Sequence, residues 1–329
     1  MTRSDDTRLR AIAATTANWP FTLWNFGEAI ALDALLDAAH RLDDPAYEQH
    51  VAALCLAAIA KGVGCSPDDC QAPGRALVTL YRRRGDDRYL VAAEALASLQ
   101  DRLPRNPEGA LLVRAHQAGW KHQIWIDSVD LIGPLYANLA SLTNDSRRQS
   151  QAVAATLAHL RCLQTDSGLA SHGYDTHAGR NGHHWSRGMG WALMGMVDVL
   201  ALTPETTSDR AELLQRFIAM TDGLLPHQRD DGLWHIVVDR PDSYVETTLA
   251  AMFVIAMHKA VEAGLIAPDA VKSPMAAARQ GVLRHVNPNG VLARVSDATP
   301  VSQYATYATR PFGEFPWGQG PLLMMECKS

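Results

Sequence analysis

Asp127 is the side chain best placed for acid–base chemistry. It follows Gln123-Ile124-Trp125-Ile126 and precedes Ser128, Val129, Leu131 and Ile132, so its carboxyl is expected in apolar surroundings. Such burial favours the neutral carboxyl, the form that donates a proton. An Asp at a helix start also reads as an ordinary cap, and the sequence leaves both roles open. Five further segments have a similar make-up: Trp24-Asn25-Phe26-Gly27-Glu28, Asp68-Asp69-Cys70-Gln71-Ala72-Pro73-Gly74, His183-His184-Trp185-Ser186-Arg187-Gly188, Ser243-Tyr244-Val245-Glu246 and Phe315-Pro316-Trp317-Gly318-Gln319-Gly320. Each stands at the start of a helical pattern and mixes polar or charged groups with rings or small residues. Aromatic faces stack on sugar rings, polar groups bond hydroxyls, and helix N-termini favour a carboxylate ligand. Taken singly, a Trp there is more often a core anchor, and Asp69 more often a cap. His183 and His184 sit in a Gly-rich loop without metal-site spacing, and no adjacent base marks Cys70 as a nucleophile. Neither a metal nor another cofactor is expected.

Helices must position these groups. Apolar residues at helical spacing run through 29–40, 74–84, 87–100, 128–141, 148–163, 188–201, 208–225, 245–262 and 268–286. Strand alternation is confined to 233–238 and 290–295, beside Asp-Gly and Asn-Gly turn signals. The helices come in pairs. Asp44/Tyr47 and Asp86/Tyr89 share an Asp-x-x-Tyr pattern in which the Asp caps the second helix and the Tyr packs back on the hairpin. Pairs open near 27, 74, 127, 187, 245 and 318. Such long, decorated repeats predict a closed ring: an all-α (α/α)6 barrel of six helical hairpins with short β segments in its loops. The last opening leaves no room for a full partner, so a helix near 5–17 is expected to complete it. No long Pro/Gly/Ser linker divides the chain, which predicts one catalytic domain over 1–329.

Composition narrows the function. A net charge of −5 provides no basic stripe for a phosphate backbone, which argues against nucleic acid as a partner. Five cysteines without a CxxC pair fit a reducing compartment better than a disulfide framework or zinc site. No apolar signal segment follows Met1, and no apolar run spans a membrane. The expected setting is the cytoplasm, where substrates are small enough to be imported. A monomer or a homodimer fits equally well.

Gln123-Ile124-Trp125-Ile126-Asp127-Ser128 resembles the W-[IVL]-D-[STG] motif of glycoside hydrolase family 105, the unsaturated rhamnogalacturonyl hydrolases, which is related to the unsaturated glucuronyl hydrolases of family 88. Trp185-Ser186-Arg187-Gly188-Met189-Gly190-Trp191 is similar to that family's W-A-R-G-N-x-W. Asp231-Gly232-Leu233-Trp234-His235, Asp242-Ser243-Tyr244-Val245-Glu246-Thr247, His172-Gly173-Tyr174 and Trp317-Gly318-Gln319-Gly320 resemble further motifs in consistent order. Asp69 matches the family's second carboxylate. The resemblance implies an (α/α)6 barrel acting on a small unsaturated oligosaccharide left by a polysaccharide lyase. It implies hydration of the C4=C5 vinyl ether of a terminal uronic acid, with Asp127 first donating a proton to C4 and then activating water for C5. On the same resemblance Asp69 orients substrate and keeps Asp127 protonated by like-charge repulsion. Arg187 contacts the ligand, His172 holds hydroxyls or water, and Trp125, Trp185, Trp191 and Trp317 shape the cavity or stack in it.

The sequence departs from the family pattern at Cys70-Gln71-Ala72-Pro73, at Gln117 in place of a basic residue, and at Met189 in place of Asn. These departures touch substrate contacts more than the proton donor and point to an aglycone other than rhamnose. Two other functions fit the residues: a glycosidase acting on saturated sugars with Asp69 and Asp127 as its acid/base pair, and a non-catalytic glycan-binding protein.

Overall fold

The computed structural model describes residues 3–22, 26–67, 74–112 and 114–328. In chain order the elements are α1 (Arg3–Ala17), α2 (Phe26–Arg41), α3 (Pro45–Lys61), α4 (Gly74–Arg84), α5 (Asp87–Arg102), β1 (Gln123–Trp125), α6 (Ser128–Leu131), α7 (Gly133–Thr143) and α8 (Ser146–Leu163). They continue with β2 (Gly173–Asp175), β3 (Gly179–Arg180), α9 (Ser186–Leu202), α10 (Arg210–Leu224), β4 (Trp234–His235), β5 (Val245–Glu246), α11 (Thr248–Glu262), α12 (Pro268–Leu283), β6 (Val295–Ser296), α13 (Tyr304–Ala308), β7 (Phe312–Gly313) and α14 (Pro316–Cys327).

Helices α2, α4, α7, α9, α11 and α14 pack each on the next, and α14 returns to α2, which closes an inner ring. The outer helices follow their inner partners as α3, α5, α8, α10 and α12, and α1 packs on α14 to complete the sixth hairpin. The expected barrel is thus present, closed by the N-terminal helix. A buried carboxylate fastens the closure: Glu326 of α14 accepts from Arg8 of α1 and from Arg279 of α12, both at 2.7 Å.

Burial explains the two helix types. Inner helices meet neighbours on nearly every side, so Ser186–Leu200 of α9 and Pro316–Glu326 of α14 are buried throughout, and their sequences are apolar all round. Outer helices bury one stripe, as in α5, where Tyr89, Ala93, Leu96 and Ala97 face the core. Asp44 and Asp86 cap α3 and α5 by accepting from Ala46 N and Arg88 N at 3.1 and 3.0 Å, as their motif predicts. Among the described residues no helix is long and apolar enough to cross a membrane.

Two details depart from the expected pattern. The run 128–141 is two helices, because Pro134 at the start of α7 cannot continue a preceding helix and Ile132 breaks it with φ −103°. The segments 233–238 and 290–295 give only two-residue strands: β4 pairs with β5, and β6 with β7. Such pairs serve to staple loops to the mouth of the ring.

Candidate active site

The first β pairing builds the site. Strand β1 runs antiparallel to β2, with Trp125 opposite Gly173, and Ile126 N–H donates to the His172 carbonyl at 3.0 Å. His172 is therefore fixed beside Asp127, the residue that opens α6. Asp127 has helical φ and ψ (−55°, −31°), and its side chain caps no backbone N–H. The capping role left open by the sequence is not the one adopted. Its side chain is only 10% exposed, and Oδ2 lies 3.5 Å from His172 Nε2, longer than an ordinary hydrogen bond but within electrostatic reach. Oδ2 is sealed from solvent, which leaves Oδ1 as the oxygen able to meet a ligand.

Asp127 and His172 open into a cavity of about 390 Å³. Among the described residues, Trp120, Trp125, Ser128 and Leu131 line one side with Arg114, and Ala298–Val301 form the other with Arg310. Trp120 and Trp125 meet edge to face at 5.1 Å, and the Arg114 guanidinium lies over both rings, 4.6 and 5.2 Å from their centres. The Trp125 indole N–H is held by Gln123 Oε1 at 3.0 Å. Ser128 lines the cavity, and its Oγ, sealed from solvent like Asp127 Oδ2, has no hydrogen-bond partner among the described residues.

His172 is buried, and burial pushes its pKa below the ordinary histidine range, with Asp127 opposing. The imidazole is therefore neutral near pH 7. It rests on the Trp185 ring at 4.2 Å, and its Nδ1 lies 2.7 Å from the Tyr307 hydroxyl.

Several expected ligand contacts stand elsewhere. Arg187 is 1% exposed and does not line the cavity. It donates to Glu246 Oε1 at 3.0 Å, Ser296 Oγ at 2.7 Å, and the Ser296 and Asp297 carbonyls at 3.0 Å. A guanidinium desolvated this fully needs acceptors, and its two terminal nitrogens find them in the strands and loop around Glu246 and Ser296–Thr299, while Nε has no hydrogen-bond partner among the described residues. Trp185 lies beneath His172, where its face is covered by the imidazole and by Arg187, 4.5 Å from the ring centre. Trp317 stacks on Phe315 at 4.5 Å and donates to the Ser296 carbonyl at 2.9 Å. Trp191 is buried in the core. These three indoles support the site from behind because inner helices bury their first turns between two layers, whereas Trp125 sits in a strand that faces the opening. Asp69 and Trp24 lie outside the described residues.

Sequence reasoning missed Arg114, Arg310, Asn181, Tyr307 and the 298–301 wall. None lies at the start of an inner helix, where the search concentrated. It also missed Arg75, which braces the floor. Arg75 donates to both oxygens of Asp130 at 3.0 and 2.7 Å, to Asp198 at 2.7 Å and to Asp33 at 3.0 Å. This ties α6 to α2 and α9 three residues beyond Asp127.

Comparison with known proteins gives a consistent picture. The profile of Glycosyl Hydrolase Family 88 matches residues 3–329. The unsaturated rhamnogalacturonyl hydrolase YesR of Bacillus subtilis (strain 168) is 28% identical over 258 residues, covering 76% of this chain and 73% of that protein. The fold matches a possible GH105 member from Salmonella enterica serovar Paratyphi A with TM-score 0.90 at 21% identity, over 100% of this chain and 94% of that one. It also matches an unsaturated glucuronyl hydrolase specific for heparin with TM-score 0.78 at 14% identity, over 98% and 95% of the two chains.

Proposed function

The chain belongs to glycosyl hydrolase family 88, and from that premise we propose that it releases a terminal 4,5-unsaturated uronic acid from a small lyase-generated oligosaccharide, with Asp127 as general acid and then base. The observation that carries this reading is the Asp127–His172 pair in the cavity lining. One carboxyl is uncapped and almost buried there, with one oxygen against a neutral imidazole and the other free for substrate.

In the first step the proton on Asp127 passes to C4, and the C4=C5 electrons form the new C–H bond. The positive charge at C5 is shared with the ring oxygen. The carboxylate then takes a proton from water as the water oxygen bonds to C5. The hemiketal so formed opens, expels the aglycone and leaves a keto uronate. Arg114 and Arg310 bring guanidinium groups to the cavity lining, Arg310 already paired with Asp297 at 2.9 Å, and such groups suit a uronate carboxylate. Trp120 and Trp125 offer apolar faces to a sugar ring. In this reading Arg187 acts on the ligand through the 296–299 loop, while Asp69 remains a proposed second carboxylate that orients the substrate. The whole chain, residues 1–329, then acts as one catalytic domain on imported oligosaccharides in the cytoplasm, as a monomer or homodimer. YesR, named for rhamnogalacturonyl substrates, supports the uronate end of the reading more than the aglycone.

The test is the loss of the ultraviolet absorbance of the conjugated C4=C5 uronate, measured with a panel of lyase-generated disaccharides. The wild type should bleach at least one member, and Asp127→Asn should bind it with turnover reduced about 10²- to 10⁴-fold. Cleavage of saturated glycosides with no bleaching would replace this reading with an ordinary acid/base glycosidase. Binding alone, unchanged in Asp127→Asn, would replace it with a glycan-binding protein.

A further inference from the structure

We infer that Asn181 and Tyr307 are positioning residues that fix the tautomer of His172, so that its Nε2–H faces Asp127; the consequence for catalysis rests on the acid/base role proposed for Asp127. The argument follows hydrogen-bond polarity from the backbone inward. Asn181 Oδ1 accepts from Gly173 N–H at 3.2 Å and from His183 N–H at 3.5 Å. Backbone amides donate only, so the orientation of the Asn181 amide is set, and its Nδ2 is the end that meets Tyr307. That Nδ2 donates to the Tyr307 hydroxyl at 3.0 Å, and Ser302 N–H donates to the same oxygen at 3.3 Å. Both lone pairs of the phenol oxygen are then used. Among the described residues the Tyr307 proton has one remaining partner, His172 Nδ1 at 2.7 Å. A neutral imidazole that accepts at Nδ1 carries its proton on Nε2, and Nε2 is the atom 3.5 Å from Asp127 Oδ2.

The opposite tautomer fails on the same accounting. With the proton on Nδ1, three donors would crowd the Tyr307 oxygen, and the phenol proton would have no acceptor in a buried position. Lone pairs would also face each other between Nε2 and Asp127 Oδ2. Burial reinforces the arrangement by keeping both His172 and Tyr307 neutral.

The chemical consequence is a division of labour between the two carboxyl oxygens. With Nε2–H facing Oδ2, the transferable proton resides on Oδ1. When that proton leaves for C4, the O–H electron pair stays on the carboxylate, and Nε2–H stabilises the new charge. When water adds to C5, its proton returns to Oδ1. His172 is never protonated or deprotonated, and the cycle balances without it.

The experiment is nitrogen-15 NMR of the imidazole in the whole protein without substrate, read beside steady-state kinetics. Wild-type His172 should show a pyridine-type Nδ1 and a pyrrole-type Nε2. Asn181→Asp keeps the side-chain shape but reverses its polarity. The new carboxylate takes the Tyr307 proton, Tyr307 then accepts from His172, and the imidazole proton moves to Nδ1. We expect the two nitrogen signals to exchange character and kcat to fall about 10- to 100-fold, the range for lost orienting partners, with KM little changed. Tyr307→Phe should instead give a mixture of tautomers and a smaller loss. A wild-type proton on Nδ1, or an unchanged tautomer in Asn181→Asp, overturns the inference. The wild-type spectrum needs no substrate, so an Nε2–H signal in an enzyme that bleaches no unsaturated uronate supports the tautomer assignment and overturns only the proposed substrate.

Discussion

His172 Nε2 stands 3.5 Å from Asp127 Oδ2, while the His172 carbonyl accepts from Ile126 N–H at 3.0 Å, so backbone and side chain hold the pair in one register. The contact is long for a hydrogen bond in the free protein. It can tighten once a ligand excludes water, and catalytic contacts commonly do so.

This pair predicts a graded effect of substitution. His172→Ala removes the polar group that stands 3.5 Å from Oδ2. A hydrogen bond to a charged group is worth about 1.5–3 kcal/mol, so kcat should fall about 10- to 100-fold. His172→Gln keeps an N–H donor and should recover part of the loss. Steady-state bleaching of the best disaccharide, with circular dichroism as a check on folding, measures both. Equal activity in Ala and Gln variants would show that donation to Oδ2 is irrelevant.

The ring and the Asp127 turn were legible because both follow from local rules. Inner helices read as apolar all round, the caps at Asp44 and Asp86 obey side-chain chemistry, and Asp127 stands out as a charge in an apolar run. Arg187 was legible as an important residue but not as a buried one. Its acceptors, Glu246 and Ser296, lie 59 and 109 residues away, and only the closed ring brings them together. Tyr307 and Asn181 were illegible for the same reason. Their role depends on the direction of each hydrogen bond, which no spacing in a sequence encodes. Trp125 lines the cavity as expected, whereas Trp185, Trp191 and Trp317 are buried, because the first turns of α9 and α14 are covered in the closed ring rather than exposed as in an isolated amphipathic helix.

Arg187 and Glu246 form a buried pair, 1% and 0% exposed in their side chains. Arg187→Met should cost about 3–5 kcal/mol by leaving Glu246 uncompensated, and should raise KM because the 296–299 loop loses its anchor. The double variant Arg187→Met/Glu246→Gln should be more stable than Arg187→Met alone, since no orphan charge remains. Urea unfolding of the wild type, both single variants and the double variant decides this. Strict additivity would mean that the pair is not coupled.

Gly195 sets the distance between α9 and the Asp127 turn. A Cβ there would lie 2.3 Å from the Val129 carbonyl oxygen and 2.8 Å from Asp130 Cα, both backbone atoms. Gly195→Ala must push α6 away, at a cost of about 1–3 kcal/mol, and the shift passes directly to Asp127. Gly190 is the control. The three atoms nearest its added Cβ are all in the Met252 side chain, Sδ at 2.4 Å, Cβ at 3.0 Å and Cγ at 3.3 Å, and a flexible thioether gives way more readily than backbone. Thermal melts and kcat should therefore both fall in Gly195→Ala, with stability alone reduced slightly in Gly190→Ala. Wild-type activity in Gly195→Ala would disprove the spacing argument.

The buried ions below the site predict a pH signature. Arg75, Lys259 and Lys328 face four carboxylates, Asp33, Asp37, Asp130 and Asp198, so negative charge is in excess. Asp130 is held by two bonds from Arg75, and Asp198 is shared by Arg75 at 2.7 Å and Lys259 at 2.6 Å. Asp33 has a single contact with Arg75 at 3.0 Å. Burial pushes its pKa up to about 7 against the attraction of Arg75. An aspartate in the unfolded chain releases its proton near pH ~3.9. Between those values the folded protein binds more protons than the unfolded one, so this group's contribution falls as pH rises from about 4 to about 7 and is level above that. Asp33→Asn carries no such titration. The unfolding free energy of the wild type minus that of Asp33→Asn, measured by urea denaturation at several pH values, should decline across this window. A flat or rising difference would mean that Asp33 is ionised in the folded protein and that the excess charge is settled elsewhere in the ring.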